Sequence, residues 1–174
     1  MATLLNPTAL QVTRRFLRAL QVLNILYGAG VAVLFVASIV AKDWTFQALG
    51  MPVSPGSPLL AFGRALMVVG VAGAALGHLI LGRLLAIVDS VREGDPFVPR
   101  NAMRLQQLAW LVLGAELLHL VVGVIARTAS ASARPLDLDW SFSFTPWIAM
   151  LLLFVLARVF QQGTRMRADL EGTV

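Results

Sequence analysis

The sequence predicts an all-α integral membrane protein, a four-helix transmembrane bundle with short outer loops. Three observations carry this expectation. First, four long apolar runs fill most of the 174 residues: Ala19–Ala41, Pro58–Gly82 with one Arg, Leu105–Ala126 with one Glu and one His, and Trp140–Ala157. Each is near or above the roughly 18–20 residues a helix needs to cross ~30 Å of hydrocarbon. Second, 58% of the residues are hydrophobic and only 13% charged, with a mean hydropathy of +0.79. A soluble domain of this length does not carry four such runs. Third, the basic residues are unevenly placed. Arg14, Arg15, Arg18, Arg83, Arg92, Arg100, Arg104, Arg158, Arg165 and Arg167 flank one side of the runs; Lys42, Arg64, Arg127 and Arg134 flank the other. With short loops, the positive-inside rule puts the N-terminus, the connector after Arg83 and the C-terminus in the cytoplasm. The net charge of +5 is therefore read as topology, and no direct nucleic-acid binding is expected.

The elements follow in chain order. Asn6-Pro7-Thr8 looks like a cap followed by a helix start, and Thr8–Arg18 reads as an interfacial helix leading into the first span, residues 19–41. Its basic cluster would lie at anionic headgroups. The uncharged run is too long for the apolar core of a signal peptide, so it is read as a retained anchor. Pro52, Pro55, Gly56 and Pro58 prevent either helix from continuing through the first outer loop.

The second span, 60–82, has no stop signal at its end. Leu84, Ile87, Val88 and Val91 extend the apolar stripe past Arg83 until Gly94, a natural C′ residue, and Asp95-Pro96. The helix should then protrude ~15 Å beyond the lipid, at 1.5 Å per residue. The connector, 83–104, thus closes an αα-hairpin, with Asn101 expected to cap the third span, 105–126. After Arg127 the outer loop is small and polar. Leu138, Trp140, Phe142 and Phe144 alternate there with Asp139, Ser141 and Ser143, which reads either as a strand of a small β-hairpin partnered by Trp44 and Phe46, or as an interfacial aromatic cluster. The fourth span, 144–161, runs on into a tail, 162–174. Arg165 with Asp169 and Arg167 with Glu171 are spaced i,i+4 on it.

Few residues carry chemistry. Glu116 and His119 form a Glu-x-x-His pair within the third span. Metal sites in bundles use that spacing only with matching carboxylates on facing helices, and none is available. An ionisable group inside lipid is expensive and needs a partner. For Glu116 the structural reading is a hydrogen bond to Asn24, Tyr27, a Ser or a neighbouring helix, or a salt bridge to Arg64; the functional reading is a ligand or proton role. Gly70, Gly73, Ala74 and Gly77 make a small-residue face containing a GxxxG, which serves packing within the bundle or a homodimer. There is no Gly-rich phosphate loop, no nucleophile–base arrangement and no His-Glu-x-x-His, so neither catalytic residues nor a metal or cofactor are expected. With no cysteine, disulfides and thiolate sites are excluded.

Two segments are familiar. Val91-Arg-Glu-Gly-Asp-Pro-Phe-Val-Pro-Arg-Asn-Ala-Met-Arg-Leu105 resembles the inter-span connector of the bacterial membrane proteins grouped as domain of unknown function 2975 (DUF2975). Phe154–Val174 is similar to that family's C-terminal signature, although Gln161 and Gln162 replace residues that are often charged there. The resemblance implies four spans in the bacterial inner membrane and no established activity. It also implies association with a small Xre-type helix-turn-helix regulator. Arg92, Asp95, Phe97, Arg100, Asn101, Arg104, Arg165, Arg167, Asp169 and Glu171 are then the candidate partner surface. The competing expectation is a small transporter or channel subunit with a polar path around Glu116, His119 and Arg64. A last expectation joins the two segments physically: Phe97 should wedge against Val159, Phe160 or Met166 and make connector and tail one unit.

Overall fold

The computed structural model describes residues 7–41, 44, 45, 48, 50, 58–132 and 143–171. Four helices account for nearly all of them: α1 (Pro7–Val40), α2 (Pro58–Arg92), α3 (Pro99–Ser132) and α4 (Thr145–Glu171). At 1.5 Å per residue, the shortest, of 27 residues, is about 40 Å long, so each exceeds the ~30 Å of hydrocarbon. Their surfaces identify the solvent. Leu26 is 64% exposed, Val33 67% and Leu152 63%, all in the middle of apolar helices. Water would penalise such area, whereas acyl chains cover it at no cost. The chain is a multi-pass membrane protein.

The helix starts and stops follow local chemistry. α1, α2 and α3 begin with Pro7, Pro58 and Pro99. Proline suits the first helical position, where its missing N–H leaves no bond unmade. α1 is continuous from Pro7, so the expected interfacial segment and first span are one helix. α2 continues ten residues beyond Gly82 to Arg92, as the apolar stripe required. It ends in a Schellman motif. Gly94 adopts φ 87°, its N–H reaches Val91 O at 3.2 Å, and Asp95 N–H reaches Ser90 O at 3.3 Å.

One expectation fails at the start of α3. Asn101 does not cap it: the helix begins two residues earlier, at Pro99, and Asn101 N–H already bonds Val98 O at 2.9 Å. Proline's preset φ starts the helix there and frees the Asn101 side chain for other use. Among the described residues there is no strand. The alternating segment around Leu138–Phe142, and Phe46, lie outside them. Trp44, the other proposed hairpin partner, sits in a helical turn closed by Thr45 N–H to Ala41 O at 3.0 Å.

The helices divide between two compact units. The first comprises residues 1–23, 77–114 and 143–174. Its centre is Leu105, Leu108 and Ala157, with Ile80, Leu84, Ile87, Leu153 and Phe160 packed around them. Trp110 meets Phe154 edge-on at 5.3 Å. The second comprises residues 24–76 and 115–142. There Gly28 allows close approach of α1 and α2, since a Cβ added to it would stand 2.9 Å from Ala74 Cβ. Gly70 likewise faces Val31, and Gly73 faces Leu118. These positions of the small-residue face are thus used for packing within the chain.

Candidate functional site

The chemistry-bearing side chains gather in two places, one in each unit. The larger constellation lies where α2, the connector, α3 and the tail meet. The Schellman turn directs the chain back so that Asn101 comes under the last turn of α2. Asn101 is fully buried, and its amide nitrogen donates to Ser90 Oγ at 2.6 Å and to Pro96 O at 2.9 Å. Its carbonyl oxygen accepts from Arg104 Nη1 at 2.9 Å, which also donates to Ala86 O at 2.9 Å. Ser90 Oγ in turn donates to Ile87 O at 2.7 Å. Both amide hydrogens and the amide oxygen of Asn101 are therefore engaged, as a buried polar group requires. The network fixes the hairpin between α2 and α3.

Three ion pairs, on two aspartates, extend it. Arg14 Nε of α1 lies 2.7 Å from Asp89 Oδ1, which Arg92 also approaches at 3.6 Å. The Arg14 contact is an ion pair by distance, although its N–H is not aimed along a hydrogen-bond axis. On the tail, Arg167 reaches Asp95 Oδ1 at 2.6 Å, 72 positions away in sequence. The local spacing had suggested Glu171 as its partner; the Glu171 side chain lies outside the described residues.

The expected wedge is present. Phe97 and Phe160 meet with ring centroids 5.2 Å apart and planes tilted by 31°. Gly163 makes room for the Phe97 ring, because a Cβ there would come within 3.3 Å of Phe97 Cδ1. Val159 and Met166, the alternatives, are 53% and 62% exposed. Of the remaining surface candidates, Arg92, Arg100, Arg165 and Asp169 are exposed and Arg104 is half-buried. The sequence reading overlooked Ser90, Asp89 and Arg14. The available signal was a Ser and an Asp within the apolar stripe that continues α2.

The second constellation surrounds Glu116. This side chain is 7% exposed, and its Oε1 has no hydrogen-bond partner among the described residues. Two of the partners expected for it, Asn24 and Arg64, are engaged elsewhere. Asn24 Nδ2 donates to Ala74 O at 2.8 Å. Arg64 Nη2 donates to Ser38 O, in the last turn of α1. That carbonyl belongs to the negative end of the helix, where a cation is favoured. Ser38 itself is fully buried and donates to Phe35 O at 2.7 Å. His119 lines a cleft of about 340 Å³ with Tyr27, Gly70, Gly73 and Leu118. Among the described residues, no three His, Asp or Glu side chains converge to hold a metal ion.

Comparison with known proteins gives one match. The family profile described as "Protein of unknown function (DUF2975)" covers residues 45–174, about three quarters of the chain. No curated protein and no solved structure matches.

Proposed function

The chain belongs to the DUF2975 family, and from that premise we propose that it is a non-catalytic regulatory or scaffolding protein of the bacterial inner membrane. Its N- and C-termini face the cytoplasm, where connector and tail present one surface to a soluble partner. The family resemblance suggests a small Xre-type helix-turn-helix regulator as that partner. The observation that carries the reading is the joining of connector to tail by Phe97–Phe160 and Arg167–Asp95. Neither contact is needed to hold helices inside lipid. Both order a polar segment that would otherwise be free, and the ordered segment displays Arg92, Arg100, Arg165 and Asp169. Rigid display of charge lowers the entropy cost of binding and favours recognition of a complementary surface.

The test is affinity purification of the full chain from native membranes, with Arg100→Glu/Arg165→Glu as the comparison. A protein that co-purifies with wild type and is lost from the double variant supports the reading. Identical profiles for the two would count against it.

A second reading is favoured by Glu116. Its buried, unsatisfied Oε1 fits a small transporter or channel subunit with a polar path at that depth. Glu116→Gln separates the two readings, because it abolishes a carboxylate-dependent flux and leaves partner capture intact.

A further inference from the structure

A cleft of about 550 Å³ opens in the first unit, between the first turns of α3 and the second half of α4. Its polar lining is Arg158, Gln106, Gln161 and Thr164, and its apolar wall includes Met103 and Phe154. Among the described residues, no carboxylate lines it. Arg158 has no acidic side chain within 4 Å among the described residues, unlike Arg14, Arg92 and Arg167, which are all paired. Thr164 Oγ1 spends its hydrogen on Gln161 O at 2.9 Å, so the donors available to a ligand are the Arg158 guanidinium and the Gln106 and Gln161 amides. A site whose only charged group is a guanidinium, flanked by amides that can turn their N–H groups toward a ligand, selects an anion.

Its depth says which kind of anion. Arg158 ends the uncharged run of α4, and Arg104, two residues before Gln106, marks the corresponding boundary on α3. The cleft therefore lies where hydrocarbon gives way to headgroups. Its polar end carries the three donors, while Phe154, held by Trp110, stands within the apolar run. A free anion would leave the apolar wall unused. We propose that this cleft binds one anionic phospholipid, its phosphate on Arg158, Gln106 and Gln161 and an acyl chain running past Phe154 into the apolar run. The assignment goes beyond the partner surface and stands whether or not a soluble partner exists.

The experiment is native mass spectrometry of the full-length protein, exchanged into detergent containing equal amounts of phosphatidylglycerol and phosphatidylcholine. Wild type retains one phosphatidylglycerol in preference to phosphatidylcholine. Arg158→Gln lowers that retention about tenfold, the effect of losing charge-assisted hydrogen bonds. Arg165→Gln, a tail residue outside the cleft, leaves it unchanged. Equal retention of both lipids, or full retention by Arg158→Gln, overturns the proposal. So does displacement of the lipid by excess inorganic phosphate, which would mark a small-anion site. Should Arg158→Gln not fold, Gln161→Glu replaces it: a carboxylate at the exposed mouth must expel phosphatidylglycerol, and undiminished retention refutes the site.

Discussion

Asn101→Ala tests the hairpin network directly. The substitution removes an amide that is fully buried and makes three hydrogen bonds, to Ser90 Oγ, Pro96 O and Arg104 Nη1. Ser90 keeps its bond to Ile87 O and Arg104 keeps Ala86 O, so those groups are only partly stranded. Pro96 O loses the amide, at about 1–3 kcal/mol for a desolvated acceptor left unmade. The Arg104 contact involves a charge and adds about 1.5 kcal/mol. Allowing for overlap within one network, the loss is about 3 kcal/mol. For a chain of this length that corresponds to a fall in thermal midpoint of about 6–12 °C. The assay is thermal unfolding of the purified protein in mild detergent, alongside hydrogen exchange of the connector amides. Asn101→Asp is the decisive companion. It keeps the shape and the Arg104 contact but turns the donor facing Ser90 and Pro96 into an acceptor, setting oxygen against oxygen. It should destabilise about as much as Ala. If Asn101→Asp melts with wild type, the amide donors do not hold the hairpin and the reasoning is wrong.

Other expectations follow from particular contacts. Gly28→Ala pushes a methyl against Ala74 Cβ, where α1 and α2 cannot yield without parting, so it should cost about 1–3 kcal/mol in the same melt; Gly30→Ala, with open space around it, should be neutral or slightly stabilising. Glu116→Gln and Glu116→Leu should both leave stability within about 1 kcal/mol or raise it, since Oε1 has no partner to strand; a marked loss in the Leu variant would reveal one. Phe97→Cys/Phe160→Cys, in a chain with no other cysteine, should cross-link with a short-reach bifunctional reagent, and failure would separate tail from connector. Asp95→Asn should change stability by no more than about 0.5 kcal/mol, because both partners of Arg167–Asp95 are roughly half exposed, and the difference should vanish near 1 M salt. Alkaline phosphatase fused after Val174 should be inactive and within Ser130–Arg134 active; the reverse would invert the proposed orientation.

The four helices, their protrusion past Gly82 and the stop at Gly94 were all legible in the sequence. Those features depend on neighbours three to five residues apart and on the choice of solvent, which apolar runs and turn residues specify locally. The contact of Phe97 with Phe160 was legible too, because an apolar stripe outside lipid must be covered and few apolar residues lie near. What only the tertiary structure decided is where each polar group finds its partner. Asn101 was read as a cap and became the centre of a network, with Ser90 eleven positions away. Asn24 turned to a carbonyl 50 positions away and Arg64 to one 26 away, and neither is the partner of Glu116. A side chain's type says that it must be satisfied when buried. The donor or acceptor it meets depends on helix rotation and closeness of approach, which small residues such as Gly28 and Gly70 set only when the helices are brought together.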